Sequence, residues 1–565
     1  MSLFSSIQVA SGALQAAQIG LQVVGQNIAN ANSPNYAREE VQFAPGPTQQ
    51  LGSVLLGTGV EVQGVTRQVD QFLQQRLNSA TSDSTSTQLT QQTYTQLESL
   101  LNELGTNGLS SSLDDFFSSI SDVLNQPESD SVRNLAVLKG QTVTQDINQL
   151  ASQTNQLRSD LNDQVAQDAG SINSLLSQIG KLNIQIESAE GGGTSQSDAV
   201  GLADQRDNAL SQLSQLMNVT TQSQSDGTVS VFSGGQFLVL EGTARSVAVS
   251  QSTNRGLTTN SLVLAGNNAP LQITSGEVAG LINSRDTVLG GFLDQLNHFA
   301  GTLAFEFNKI YSSGQGLQGY SSVTSTLAVD DVNAPLDAAG LNFTPGNGQF
   351  DIQVYDPSTQ LTQTSTIRLD LNGLGSDTSL TDLVNQLNAV SGVKATITPD
   401  RRLSIQSSSP DEQIAFANDT SGILASLGIN TFFTGSDANS LSVNQEVIDN
   451  PSTFAASAGG VGADTNVAVQ LAGFNDLPLP SQSGATLSQM YDRVASDVSQ
   501  GSAVAQNLAD SAQTFQQSLN TQNLAISGVS IDDETVKMME YQRAYQASAE
   551  YISTINSLLQ TLVNL

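Results

Sequence analysis

The sequence predicts a multidomain α+β protein: paired terminal coiled-coil helices, a long-helix bundle with β-hairpins, and an inserted outer domain of mostly β or α+β character. Three observations carry this reading. The chain has 565 residues, beyond the roughly 250 to 300 at which a single core stops growing. Apolar residues recur at heptad spacing at both ends and in long central runs, whereas two interior regions switch to period 2. Charge is scarce and one-sided, with 19 Lys and Arg against 52 Asp and Glu and a net of −33.

The first helix is marked by Leu3, Ile7, Ala10, Leu14, Ala17, Leu21, Val24, Ile28 and Ala31, a 3-4 spacing without a miss. It would be about 43 Å long and end at the breakers Asn32, Ser33 and Pro34. Glu40 to Phe43 and Val60 to Val65 then read as strands of an extended connector around Pro45, Gly46 and Pro47. Val69 to Leu104 is helix-like. Val143, Ile147, Leu150, Leu157, Leu161, Ile172, Leu175, Ile179, Leu182 and Ile186 define a longer helix, stopped at Gly191 to Gly193.

Hairpins are expected from about Val219 to Ile273, where Asp226-Gly227 and Gly234-Gly235 separate Val229/Val231 and Phe237/Val239. The second period-2 region runs from about Tyr320 to Ser440. It holds Phe350/Ile352/Val354, Ile367/Leu369/Leu371 and Val393/Ala395/Ile397, with a short helix around Leu380, Leu383, Val384 and Leu387. Leu487, Met490, Val494, Val498, Leu508, Phe515 and Leu519 mark a helix that completes an antiparallel bundle of sequence-distant segments. After a break at Ser527 and Gly528, Ser530 caps a last helix whose first turn carries Asp532 to Glu534. Its seam is Met538, Tyr541, Tyr545, Ile552, Ile555, Leu559 and Leu562, with only Ser548 polar. The expected domains are 1–36 with 530–565, 37–319 with 441–529, and the insertion 320–440.

No Asp, Glu, Lys or Arg precedes Arg38 or follows Glu550. Two readings of these neutral ends stay open: an internal two-helix core, or close packing of many identical copies, where every ionised group would be repeated at each neighbour. The acidic balance opposes nucleic-acid binding. With no Cys, disulfides, thiol catalysis and Cys-ligated zinc are excluded. The single histidine, His298, lies among Leu296, Phe299 and Leu303 and reads as structural.

Gly314, Gly316 and Gly319 match a dinucleotide-binding spacing in the wrong context, since helix-like residues Phe305 to Tyr311 precede them and an extended segment follows. The acidic pairs Asp114/Asp115, Asp330/Asp331 and Asp532/Asp533 read as solvated faces and helix starts. No catalytic residue, metal or cofactor is expected. No apolar run reaches the ~18 residues of a membrane span, and the N-terminus lacks a signal-peptide pattern, so the chain reads as soluble without a cleavable address.

The stretch Asn27-Ile28-Ala29-Asn30-Ala31-Asn32-Ser33-Pro34-Asn35-Tyr36-Ala37-Arg38 resembles the N-terminal signature of bacterial flagellar rod, hook and hook-associated proteins. Met539 to Ala549, MEYQRAYQASA, followed by Leu558 to Leu565, LLQTLVNL, looks like the C-terminal signature of the same group. Asp204-Gln205-Arg206-Asp207 running into Leu210, Leu213 and Val219, the segment Gly276 to Asp286 with Gly280-Leu281 and Arg285-Asp286, and the Gly314 to Gly319 loop are similar to the member at the hook-filament junction.

This resemblance implies a structural protein, not an enzyme. Its assembly interface would be Leu3, Ile7, Leu14, Leu21, Val24, Ile28, Met538, Tyr541, Tyr545, Ile552, Ile555, Leu559 and Leu562. Copies would self-associate in a ring or helical layer whose terminal helices line an inner tube. The resemblance further implies type III export by an uncleaved N-terminal region, a chaperone at the C-terminal helix, and hook protein and hook-associated protein 3 as neighbours in the extracellular flagellum. The alternatives are another axial member, either hook protein or hook-associated protein 3, and an exported adhesin or hydrolase.

Overall fold

The computed structural model describes residues 3–51, 54–101, 108–191, 197–462 and 464–563, with the side chains at 3, 4, 51, 54, 562 and 563 left out. Helix α1 (Leu3–Asn30) leads through β1 (Glu39–Pro45), β2 (Thr48–Leu51), β3 (Val54–Gly57) and β4 (Val60–Arg67) to the helices α2 (Gln71–Leu101), α3 (Leu109–Asn125), α4 (Asp130–Ala189) and α5 (Val200–Leu216). There follow β5 (Thr220–Ser223), β6 (Val229–Ser233), β7 (Gln236–Leu240), β8 (Thr243–Ala244), β9 (Val247–Asn254) and β10 (Leu257–Leu264). Helices α6 (Glu277–Asn283) and α7 (Leu289–Tyr311) are joined by a π-helical turn, Ser284–Val288.

The next segment contains β11 (Ser322–Thr324), β12 (Gly348–Asp356), β13 (Leu361–Leu369), α8 (Leu380–Asn388), β14 (Val393–Ile397), β15 (Leu403–Ser407), β16 (Gln413–Ala417) and α9 (Ile423–Leu427). The chain ends through β17 (Phe433–Thr434), β18 (Ser442–Val443), α10 (Gln445–Asp449), α11 (Asn466–Ala472), α12 (Leu487–Ser527) and α13 (Ile531–Val563). The architecture is multidomain α+β. The expected glycine stop of α4 is met at Gly191, whereas Gly192 and Gly193 lie outside the described residues.

Two compact units share the chain, and their divisions fall at 93/94, 158/159, 287/288 and 502/503. Three of these cuts lie inside α2, α4 and α12, where no breaker residue marks them.

The first unit comprises Met1–Thr93, Ser159–Thr287 and Ala503–Leu565. In it α1 packs along α13, and β1 pairs antiparallel with β4 through a bulge between Gln42 and Phe43. Leu73, Leu77 and Ala80 of α2 share a core with Leu519 of α12, and Gln516 donates to the Thr81 hydroxyl at 3.1 Å. The turns expected at Asp226-Gly227 and Gly234-Gly235 connect β5 to β6 and β6 to β7, with both Gly234 and Gly235 at positive φ.

Asparagines of α4 dock these hairpins. Asn183 donates to Val229 O at 2.8 Å and accepts from Val229 N at 3.1 Å, and Asn173 treats Val247 the same way at 2.8 and 2.7 Å. Asn162 accepts from Asn260 N at 2.6 Å. A primary amide offers one donor and one acceptor to a single residue's free backbone groups, which satisfies a strand end against a helix flank without charge.

The second unit comprises Tyr94–Arg158 and Val288–Ser502. Its centre is aromatic: Phe116, Phe307, Tyr311, Phe432, Phe433, Phe454 and Phe474 pack with centroid separations from 4.8 to 6.1 Å in tilted, stacked and edge-on pairs. Asn308 accepts from the amides of Phe432 and Phe433, both at 3.0 Å, and donates to Phe433 O at 2.8 Å. A separate core draws on Tyr320 to Ile429, where the sheets β13-β12-β16 and β11-β15-β14 and helix α8 bury Phe350, Ile352, Ile367, Leu383, Ile405 and Phe416.

Candidate functional site at the terminal helix pair

The heptad residues of α1 and α13 face one another within the chain. Val24 and Ile555 are buried to 2% and 3% exposure, and Ile7, Leu14, Leu21, Ile28, Met538, Tyr541, Ile552 and Leu559 are half-buried. Tyr545 is 39% exposed. Leu3 and Leu562 fall outside the described side chains. Small residues bring the backbones close: Ala10, Ala16 and Ala17 are buried, and a Cβ at Gly20 would stand 2.8 Å from the Tyr541 ring. Phe43 of β1 meets that ring at 6.2 Å between centroids.

An internal two-helix pair is therefore present, but it does not use all the apolar surface of α13. Val536, Met539, Tyr551 and Leu558 are exposed. At 100° per residue they cluster on the face opposite Glu534, Tyr541 and Ile552. The heptad reading missed them because they keep no regular 3-4 spacing of their own.

The pair is tied at one corner by residues of the Asn27 to Arg38 stretch. Buried Asn27 at the end of α1 donates to Glu39 O and to Glu534 Oε2, both at 2.9 Å. Its oxygen accepts from Glu39 N and from the Tyr36 hydroxyl, again at 2.9 Å. One amide thus holds the end of α1, the start of β1 and the first turn of α13. Asn35, at φ 57, turns the chain back for this. Glu534, in the acidic first turn of α13, is buried at 1% exposure and also pairs with Lys537 at 2.9 Å. Burial, reinforced by the nearby Glu39 carboxylate, raises the Tyr36 phenol well above its usual pKa. Burial also raises Glu39, with Asp204 adding to the effect.

The Asp204 to Asp207 motif serves the same corner. Arg67 of β4 pairs with Asp204 at 2.7 Å and Asp207 at 2.6 Å. Burial alone would lower its pKa, but Asp207 and Asp204 outweigh that and hold it above the ordinary value. Burial outweighs the attraction of Arg67 at Asp204, whose carboxyl is raised. Arg206 turns the other way, donating to Gly227 O at 2.6 Å, and burial lowers its pKa. Arg285, in the π-turn, grips Asp286 through two bonds of 2.8 and 2.7 Å and reaches Asn162 Oδ1 at 2.9 Å. These motifs hold the fold together; they do not converge on a reacting centre.

The remaining motifs are structural in place. His298 is exposed on α7, with Nε2 2.9 Å from Gln482 Oε1. The glycine loop packs on the segment around Ser452 to Ser457, and a Cβ at Gly316 would strike the Ser452 carbonyl. Asp114/Asp115, Asp330/Asp331 and Asp532/Asp533 are all exposed. Among the described residues no cluster of three or more His, Asp or Glu is placed to hold a metal ion, and no helix is long and apolar enough to cross a membrane.

Known proteins match in the same regions. The family model "Flagellar hook-associated protein FlgK helical domain" matches residues 94–324, "Flagella basal body rod protein" matches 7–36, and "Flagellar basal body rod FlgEFG protein C-terminal" matches 520–565. Flagellar hook-associated protein 1 of Escherichia coli (strain K12) is 26% identical over 577 residues, covering 99% of this chain and 100% of the relative. The protein of the same name from Salmonella typhimurium is 26% identical over 604 residues, with the same coverage. That of Bacillus subtilis is 30% identical over 248 residues, 41% of this chain and 48% of the relative. In fold, the chain is similar to the flagellar hook junction protein FlgK from Burkholderia pseudomallei, with a TM-score of 0.53 and 17% identity over 80% of this chain and all of that one.

Proposed function

Because the chain belongs to the family of flagellar hook-associated protein 1, whose members are structural components of the bacterial flagellum, we propose that it joins hook to filament, self-assembling through its terminal helices into a ring or helical layer. The observation that carries this is that α13, already paired with α1, keeps a second exposed face on which large apolar side chains alternate with charged ones, Glu540, Arg543 and Glu550 among them. Val536, Met539, Tyr551 and Leu558 are exposed there, the last two in the stretch that carries no charge beyond Glu550. Such a surface has its use against another copy. On this reading the seam residues hold the pair, and the pair is the assembling unit.

On this reading segments 1–36 and 530–565 form the inner tube, 37–319 with 441–529 the middle layer, and 320–440 an outward domain. Hook protein and hook-associated protein 3 are the axial neighbours. Export is by the type III apparatus with a chaperone on the C-terminal helix, and the protein has no catalytic role. The test is the double substitution Val536→Asp, Tyr551→Asp. Both sites are exposed, so the stability of the first unit, read by hydrogen exchange along α1 and α13, should stay within the small range expected of surface changes, about ±0.5 kcal/mol. Cells should secrete the variant, bear hooks without filaments and shed filament subunits into the medium. Normal filaments on such cells would overturn the proposal.

A further inference from the structure

The sheet β13-β12-β16 has one edge that the fold leaves open. The direction of its backbone groups follows from two bonds. Gln349 of β12 turns its carbonyl to Thr420 N at 2.9 Å, on the β16 side, so its partner across the ladder, Arg368, points its backbone away from β12. Accordingly Arg368 N donates to the Gln386 side chain of α8 at 3.3 Å. By the alternation of an antiparallel strand, Thr366, Thr364 and Thr362 also direct their N–H and C=O outward. All three residues are exposed, and no backbone partner covers them among the described residues.

The neighbouring edges are closed. Asn388 caps the outer edge of β14 by donating to Ala395 O at 2.9 Å and accepting from Ala395 N at 2.8 Å. Tyr320 caps β16 by exchanging bonds of 2.8 and 2.7 Å with Ile414. Arg368, at the end of β13, is charged and its amide is covered by Gln386, but from Leu361 to Ile367 the strand carries no charge and no proline, and its ladder with β12 has no bulge.

The strand is also chemically symmetric about Thr364. Reading Leu361-Thr362-Gln363-Thr364-Ser365-Thr366-Ile367 in either direction gives apolar, Thr, polar, Thr, polar, Thr, apolar. A second β13 laid antiparallel across a two-fold axis at Thr364 would set Thr against Thr at every outward position. It would bring Leu361, 70% exposed, opposite Ile367, which is on the same face and buried. We propose that β13 is a self-pairing edge, at which two free copies of the chain join by continuing the sheet from one insertion into the other.

The contact would contribute about six backbone hydrogen bonds over a small area, so it should be weak. A two-fold contact cannot link neighbours related by rotation within one polar ring. It therefore belongs to chains outside the assembled layer, and it stands or falls separately from the junction reading.

Sedimentation of the full chain from about 1 to 500 µM, the range such a weak contact calls for, is expected to show a monomer–dimer equilibrium. Thr364→Lys should weaken it at least tenfold with unchanged hydrogen-exchange protection of β12 and β16. Since the chain has no cysteine, Thr364→Cys should give disulfide-linked dimers on mild oxidation. Thr396→Cys on the capped β14 strand should not. A monomeric wild-type chain throughout this range, a dimer indifferent to Thr364→Lys, or equal cross-linking at 396 would each overturn the proposal.

Discussion

Asn27→Leu tests whether the corner of the terminal pair depends on one amide. The substitution preserves volume and removes four hydrogen bonds of 2.9 Å. Tyr36 keeps Glu39 as a side-chain partner, so its hydroxyl loses little. Glu39 N–H and Glu39 C=O lose the bonds that Asn27 supplies at the first residue of β1. The Glu534 carboxylate, 1% exposed, is left with Lys537. A buried polar group stripped of its partner costs about 1 to 3 kcal/mol. With partial relaxation, the three groups together give roughly 3 to 5 kcal/mol.

The chain has two compact units, so a single global midpoint would mix transitions. The readout is therefore local: hydrogen exchange at the Glu39 amide, together with protease sensitivity at Ser527-Gly528, where Arg38 N bonds Ser527 O at 2.8 Å. Exchange at Glu39 should speed up by at least 100-fold, the factor that about 3 kcal/mol implies. Cleavage at 527–528 should appear while the aromatic core of the second unit stays protected. Asn27→Asp restores the acceptor but sets a carboxylate against Glu534, and should be no better. Unchanged Glu39 protection in Asn27→Leu would refute the argument and return Asn27 to the status of a helix-end residue.

Asp168 of α4 is 7% exposed with Oδ2 unbonded, and burial, aided by Glu277, raises its pKa to about 7. The folded state then holds a proton that the unfolded chain releases near pH 4, so this group lowers stability as pH rises from about 4 to 7, by roughly 2 to 4 kcal/mol. Asp168→Asn should remove that part of the slope in denaturant titrations of the first unit. Glu39 and Asp204 contribute in the same direction, so the difference from the parent chain is the test, and parallel profiles would refute it. Gly180→Ala should reverse the usual helix preference, since its Cβ would meet the Gly242 carbonyl at 2.6 Å, whereas nothing lies within 4 Å of a Cβ at Gly170. Gly170→Ala should gain up to about 1 kcal/mol and Gly180→Ala lose about 1 to 3, as read by chemical denaturation.

The helices and hairpins were legible because their signal is repetition. The seam from Ile7 to Ile28 and the turns at Asp226-Gly227 and Gly234-Gly235 need only residue types at fixed spacing, and α1 and β5 to β7 follow them. The division of the chain into units was not legible. It cuts α2, α4 and α12 within continuous helix, and heptad spacing is blind to which neighbour each half of a helix packs against. No element is expected at α3 from the sequence, yet its buried face carries Phe116, Phe117 and Ile120 and brings the two phenylalanines into the aromatic core.

The polar interior was the least legible part, and it explains the odd composition. Five asparagines do the same thing in different places: Asn27 at Glu39, Asn173 at Val247, Asn183 at Val229, Asn308 at Phe433 and Asn388 at Ala395. Each gives one hydrogen bond to a backbone carbonyl and takes one from the amide of the same residue. Isolated asparagines in a sequence rich in Asn and Gln carry no spacing signal, so which ones clamp a backbone is decided by tertiary position. A carboxylate cannot replace them, because it offers no donor to the carbonyl and must be desolvated. A chain that fastens its strand ends with amides needs few ion pairs, which is how only 13% charged residues suffice. The same economy keeps charge away from α1 and the end of α13. In the proposed layer an ion pair there would be repeated at each copy and would have to be buried or screened at every contact, while an amide clamp at Asn27 closes the corner within the chain and adds no charge of its own.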